Sequence, residues 1–147
     1  MIEVLLAAVI IVALALLGAI SYFRNYRLTA LKNTARETVA GFRLAQQLAI
    51  SQEQGKVWGI HINNTDGVNP YWDVFSDVYA PANITQHYAL PNIIGIQTPA
   101  AGVSTTIIFA KLTGLPSAST TLVLQNRGSN QTRTIMLNEF GWLDINE

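Results

Sequence analysis

The sequence predicts an α+β protein in which one long amino-terminal helix packs on a small antiparallel β-sheet or sandwich domain. Residues 4–20 contain no charged or amide side chain, and an amphipathic pattern continues from there to residue 54. After residue 55 the chain changes to short β-rich runs separated by Gly, Pro, Asn and Ser. We therefore predict a helical segment, residues 1–55, followed by a β-rich head domain, residues 56–147.

The first part of the predicted helix, residues 1–23, is long and apolar enough for a membrane or the core of a filament. Seventeen residues make about 25 Å of helix, and residues 21–23 extend it to about 30 Å, the thickness of a bilayer's hydrocarbon core. A cleaved signal peptide needs a basic start, whereas Glu3 precedes this run. Arg24, Arg27 and Lys32 follow it, and the positive-inside rule alone would place the carboxyl end in the cytoplasm unless a basic leader originally preceded Met1.

Residues 24–55 continue as the amphipathic half of the same helix. Gly55 is suited to the C′ position that ends a helix, so a single helix over residues 2–54 would be about 80 Å long and its first half would project from the head. The predicted buried face repeats every three or four residues and consists of Leu28, Leu31, Ala35, Val39, Phe42, Ala45 and Ala49.

The head domain is predicted to contain eight short strands, as a small sandwich or rolled sheet. Asp73 and Asp77 lie in one of these runs, but no motif connects them to a Ser or His in a catalytic arrangement. The predicted strands cover residues 57–62, 72–78, 86–90, 93–97, 105–109, 121–126, 132–138 and 141–145.

The amino-acid composition argues against several classes of function. Only 12% of the 147 residues are charged, about half the usual share, and the nine basic side chains balance nine acidic ones. Balanced charge argues against a general nucleic-acid binder. The absence of cysteine excludes disulfides, thiol nucleophiles and thiolate zinc sites, and the two histidines, His61 and His87, lie far apart in sequence. We therefore predict no catalytic, cofactor or metal site.

The start of the chain resembles a known superfamily. M-I-E-V-L-L followed by an unbroken apolar helix, an amphipathic half and a β-rich remainder resembles the type IV pilins and pseudopilins, and residues 2–5 match their I-E-V-L core. The later runs L-P-N-I-I-G-I, T-T-I-I-F and R-T-I-M-L-N, with a terminal Gly141, resemble the minor pseudopilin H (GspH/FimT-type) domain. The family's leader is absent, and Ile20 stands where many pilins have a helix-breaking Pro.

The resemblance implies a structural filament subunit rather than an enzyme. Its partners would be the membrane before assembly, the inner-membrane assembly machinery, and then copies of itself in an extracellular filament, or a periplasmic one for a pseudopilin. Glu3 would pair with a neighbouring subunit's terminal amine, whereas its position alone also fits favourable interaction with the helix dipole. The assembly residues would be Met1, Ile2, Glu3, Val4 and Leu5, and the weak point of the helix would be Gly18.

Other functions stay open at this stage. The chain could be a minor pseudopilin of type II secretion, or a monomeric membrane-anchored extracytoplasmic binding domain. Some DNA-uptake members of the group carry a basic G-R-x-R near the end, which Gly141-Trp142-Leu143-Asp144 replaces, so DNA binding is not carried over. Arg127 and Arg133 instead form a candidate surface basic loop.

Residues 1–55 hold five basic and three acidic side chains, while residues 56–147 hold four basic and six acidic ones. Opposite halves of neighbouring copies would therefore attract each other weakly.

Overall fold

One long helix and eight strands are found over residues 2–146, which confirms the predicted α+β class. The computed structural model describes the backbone of residues 2–146 and their side chains, apart from those of residues 4–5, 7–8, 13 and 15–24. Helix α1 spans Ile2–Ile50, and its 49 residues give a length of about 74 Å. It precedes every strand in the chain.

The strands form two four-stranded antiparallel sheets. The first has the order β3-β2-β1-β5 and the second the order β4-β6-β7-β8. All eight predicted strands are present, with ends shifted by a few residues. They are β1 (Trp58–Asn64), β2 (Tyr71–Ser76), β3 (Ile84–Ala89), β4 (Ile94–Thr98), β5 (Val103–Phe109), β6 (Thr120–Asn126), β7 (Thr132–Leu137) and β8 (Leu143–Asn146).

The second half of α1 packs against strands of both sheets and completes a single hydrophobic core. Six of the seven residues predicted for its buried face are buried, beginning at Leu31. Leu28 is the exception, because it lies one turn before the buried stretch begins and remains 37% exposed. Thr34 and Thr38 share the buried face, and the Thr38 hydroxyl donates to the Thr34 carbonyl at 2.8 Å.

Gly41 allows the first sheet to approach the helix closely. A Cβ at this position would lie 2.5 Å from the ring of Trp72, so no larger residue fits without moving the indole. Trp72 in turn stacks on Tyr88 of β3 with 5.0 Å between ring centroids. The Tyr88 hydroxyl donates to the Glu37 carboxylate on α1, which ties β3 to the helix as well.

The α-helix ends earlier than the sequence predicted. It stops at Ile50, and a 3₁₀ turn over Glu53–Gly55 replaces the expected last turn, so Gly55 is not the C′ residue of α1. Gln52 takes the left-handed conformation and reverses the chain. Burial of Trp58 explains the change, because its indole N–H donates to the Glu53 carbonyl at 3.2 Å and thereby holds the 3₁₀ turn against the head.

Asn64 joins the two sheets. It is fully buried at the end of β1, and its Nδ2 donates to the carbonyls of Ile96 and Pro99 at 3.0 and 2.8 Å. Its backbone carbonyl accepts from the Gly102 N–H at 2.9 Å. One amide side chain therefore satisfies two buried carbonyls at the junction between the sheets.

We predict that Asn64→Ala lowers the free energy of unfolding by about 2 kcal/mol, because two buried carbonyls lose their donor. Urea denaturation of the full chain in mild detergent, followed by tryptophan fluorescence, measures the change. The control Asn92→Ala alters an exposed loop residue and should shift stability by less than about 0.5 kcal/mol. Equal unfolding midpoints for the two variants would contradict the assigned role of Asn64.

Candidate assembly surface

The first turns of α1 expose apolar side chains on every side. Residues 9–12 are consecutive and each is at least half exposed, and because an α-helix advances about 100° per residue they point in all directions around the axis. A helix that is apolar all round is stable when lipid or other protein buries it. The exposed side chains described here, between 51% and 80% accessible, belong to Ile2, Leu6, Val9, Ile10, Ile11, Val12 and Leu14.

Glu3 is the charged group at the start of this apolar helix. It lies in the first turn with its side chain exposed, where the helix dipole favours a negative charge. The ion pair found among the described residues, between Asp73 and His87, lies far from it in the head. The Glu3 carboxylate is therefore available to an amine from outside the chain. Of the other predicted assembly residues, Met1 lies outside the described residues, as do the side chains of Val4 and Leu5.

The backbone of α1 continues without interruption through Gly18, the predicted weak point. Melting at this glycine in an assembled state stays a prediction. The predicted membrane segment, residues 1–23, includes many side chains outside the described set, among them 15–23. Within the described part of the chain, no helix is long and apolar enough to cross a membrane.

The two arginines predicted as a basic loop contact different parts of the head. Arg127 donates from Nη2 to the carbonyls of Gly67 and Val68, at 2.9 and 2.7 Å, and so ties the β6–β7 turn to the β1–β2 loop. Arg133 is half-buried on β7 beside a cavity of about 220 Å³ that Lys32 also lines. Arg127 thus has a structural role that its sequence position did not indicate.

A basic stripe follows the exposed side of α1, formed by Lys32, Arg36 and Arg43. It borders two shallow cavities, of about 220 and 400 Å³, between the helix and Ile145 of β8. Neither cavity is lined by an acidic side chain. This side of α1 therefore presents a positive surface that favours contact with an acidic neighbour.

A polar cluster that the sequence did not predict surrounds Asp73 on the outer face of the first sheet. The carboxylate is 1% exposed, and it accepts from the Tyr79 hydroxyl at 2.7 Å and contacts His87 Nδ1 at 2.6 Å. His61 stacks on Tyr79, with centroids 3.8 Å apart, and its Nδ1 lies 2.7 Å from the Thr106 hydroxyl. The register of β2 against β1 and β3 places His61 and His87 on either side of Asp73.

This cluster fastens the β2–β3 connection onto the sheet. Burial raises the pKa of the Tyr79 hydroxyl well above its usual range, and its hydrogen bond to Asp73 adds to the shift, so the phenol stays a donor. Burial lowers the pKa of His61, against an opposing effect of the nearby Asp73 charge. Asp77 lies apart from the cluster, since its exposed carboxylate accepts from the Val57 N–H at 3.3 Å. Among the described residues, no group of His, Cys, Asp or Glu side chains is arranged to hold a metal ion.

One sequence family and two solved structures are similar to this chain. The family model described as type II transport protein GspH matches residues 34–141. Among solved structures, the type IV minor pilin FimU of Pseudomonas aeruginosa is similar at a TM-score of 0.56 and 16% identity, covering 80% of this chain and 88% of that one. The minor pseudopilin EpsH of the Vibrio cholerae type 2 secretion system is similar at a TM-score of 0.55 and 16% identity, covering 79% and 95%. No curated protein sequence matches significantly.

The lowered pKa of His61 predicts how stability changes with pH. Near and below pH 6.5, the ordinary histidine pKa, His61 binds fewer protons in the folded state than in the unfolded chain. The free energy of unfolding should therefore fall as the pH is lowered from 7 to 5. His61→Gln should make that fall shallower in denaturation of the full chain. Titration of the histidine by NMR should show a pKa below 6.5, and an unchanged pH slope in the variant would contradict the prediction.

Proposed function

This chain belongs to the family of the type II transport protein GspH, whose model covers most of its head and about the last third of α1, and we propose that it is a structural subunit of a type IV pilus-like filament. One observation supports this role most directly: the exposed apolar beginning of α1 is left uncovered by the described head. A filament in which helices from many copies pack together would bury it on all sides.

Glu3 sets the register of assembly in this proposal. Its carboxylate would pair with the terminal amine of a neighbouring subunit when the helix leaves the membrane. A buried carboxylate without a partner is strongly destabilising, so misaligned packing would be disfavoured. Met1, Ile2, Val4 and Leu5 would supply the apolar contacts around the pair.

Charge distribution supports lateral contacts between copies. The basic stripe on α1 is available to a neighbour, while the head carries an excess of acidic residues, including the exposed Asp66 and Asp77. Attraction between these surfaces is weak and screened by salt. It would guide orientation, and the apolar helix would supply the main driving force.

Before assembly, we propose that residues 1–23 hold the subunit in the inner membrane. In a filament the same segment would be buried by other subunits, so the protein would be extracellular, or periplasmic in a secretion pseudopilus. The assembly machinery of the inner membrane would be the partner that transfers it. Neither step needs a cofactor or a catalytic residue.

A second candidate is a minor subunit of such a filament, in particular a minor pseudopilin of type II secretion. The family description and the two similar structures, both named as minor pilins or pseudopilins, favour it. A minor subunit would need other subunits for assembly. A monomeric membrane-anchored binding domain would keep the helix but would not depend on Glu3.

We predict that Glu3→Gln abolishes filament formation, because the neighbouring amine loses its charged partner. Purified full-length protein, examined by electron microscopy after detergent removal, gives the readout. The matched control Glu53→Gln changes an exposed carboxylate in the 3₁₀ turn and should assemble like the wild type.

The outcomes separate the candidates. Wild-type filaments that disappear with Glu3→Gln support the main proposal. Wild-type protein that assembles only with the other subunits of its system, and in a Glu3-dependent way, supports a minor role. Assembly or membrane association that is indifferent to Glu3 contradicts both and favours an anchored monomer.

A further inference from the structure

Five apolar side chains are exposed together at the end of the head near the last turn of α1. We name them the tip patch: Ile50, Leu112, Leu115, Phe140 and Trp142, which are between 42% and 76% exposed. Large aromatic side chains that stand in water are typical of interaction sites rather than of ordinary surface.

Gln46 brings the two loops of the tip patch together. Its Nε2 donates to the carbonyls of Gly114 and Gly141, at 3.1 and 3.3 Å. Both glycines have positive φ, 66° and 80°, and a Cβ at either position would lie within 3 Å of α1 side chains. Leu115 follows the first glycine directly, and Phe140 and Trp142 flank the second, so one glutamine on α1 fixes the arrangement.

The loop that carries the two aromatic residues is held by its own hydrogen bonds. Asn138 Oδ1 accepts from the N–H groups of Phe140 and Trp142, at 3.0 and 2.9 Å. The Asn138 N–H donates to the Trp142 carbonyl at 3.1 Å, and the Gly141 N–H donates to the Asn138 carbonyl at 3.0 Å. Four hydrogen bonds thus fix the backbone that carries the two exposed rings, which lowers the backbone entropy lost when a partner binds.

Leu112 is exposed in a strained conformation. Its φ is +68°, a region that favours glycine, and its side chain is 67% exposed. Its N–H donates to the Ala49 carbonyl at the end of α1, at 3.2 Å. That hydrogen bond needs only the backbone, so glycine or asparagine would suit this conformation better than an exposed leucine. Strain of this kind is found where a side chain serves a function.

We propose that the tip patch binds the apolar beginning of α1 of a second copy of this chain. The inference rests on the proposed filament function and names one contact within it. Residues 4–20 contain no charged or amide side chain, so the surface that complements them is an apolar one. The patch cannot bind its own helix, because Leu14 and Ile50 are separated by 36 residues of continuous helix, about 54 Å.

A contact between two different surfaces of identical chains also explains growth. Such a heterologous interface leaves one free surface at each end, so it extends into an open filament unless the rotation closes a ring. The tip patch and the apolar beginning of α1 lie at opposite ends of one continuous helix, which suits end-to-side stacking along an axis.

The test uses three variants of the full-length chain. Leu112→Asn removes the apolar side chain and keeps a residue that tolerates positive φ. The double variant Phe140→Ser/Trp142→Ser removes the two aromatic rings. The matched control Val78→Ser changes a residue 73% exposed on the β2–β3 connection, outside the patch. We expect both patch variants to lose at least tenfold in the fraction sedimenting as filaments, with the melting temperature of Leu112→Asn unchanged or raised. The control should sediment like the wild type.

A photoreactive amino acid in place of Trp142 identifies the partner surface. Cross-links to residues 2–14 of another copy support the proposal, whereas cross-links to lipid or to a head domain overturn it. Patch variants that assemble like the wild type overturn this contact and leave the proposed function standing. Failure of the wild type to assemble, alone or with other subunits, overturns the proposed function and the contact with it.

Discussion

The physical constraint behind this structure is an apolar helix that its own protein leaves uncovered. The described head contacts α1 from Arg27 onward and buries its apolar face from Leu31, while the turns from Ile2 to Leu14 expose apolar side chains in all directions. Burial of each such side chain is favourable by about 1.5–3 kcal/mol, so seven of them create a strong drive toward lipid or other copies. The rest of the chain packs on the second half of this helix and leaves its beginning accessible to lipid or to other copies.

The head is built around the second half of the same helix. Gly41 admits Trp72 of the first sheet, Gln46 holds two loops of the second half of the chain, and Asn126 Nδ2 donates to the Arg27 carbonyl at 3.1 Å. Arg27 Nη1 returns a hydrogen bond to the Gly128 carbonyl at 3.1 Å. These contacts hold the head against α1 from Arg27 to the last turn of the helix, and the turns before Arg27 extend beyond them.

Periodicity and turn chemistry were enough to predict the helix, its buried face and all eight strands, because these depend on local pattern. Long-range pairing was not predictable in this way. Asp73 and His87 meet through the register of β2 against β3, and the Tyr79 hydroxyl reaches Asp73 from the β2–β3 connection. Arg127 resembled a solvated loop cation because its carbonyl acceptors lie about sixty residues away. The end of α1 was predicted too late because the donor that fixes the following turn is the Trp58 indole, a tertiary contact.

The continuous helix α1 connects the two ends of the molecule. If a neighbour's apolar helix lies on the tip patch, residues 2–14 of one copy stand beside residue 50 of another, and the continuous helix sets their axial offset at about 54–72 Å. Gly18 lies between these contacts, where a glycine weakens a helix by about 1 kcal/mol relative to alanine. Extension at that point would lengthen the offset, since an extended residue rises about 3.3 Å and a helical one 1.5 Å. Melting of the helix at Gly18 and the seating of the tip contact would therefore be coupled, because a change in one would shift the register of the other.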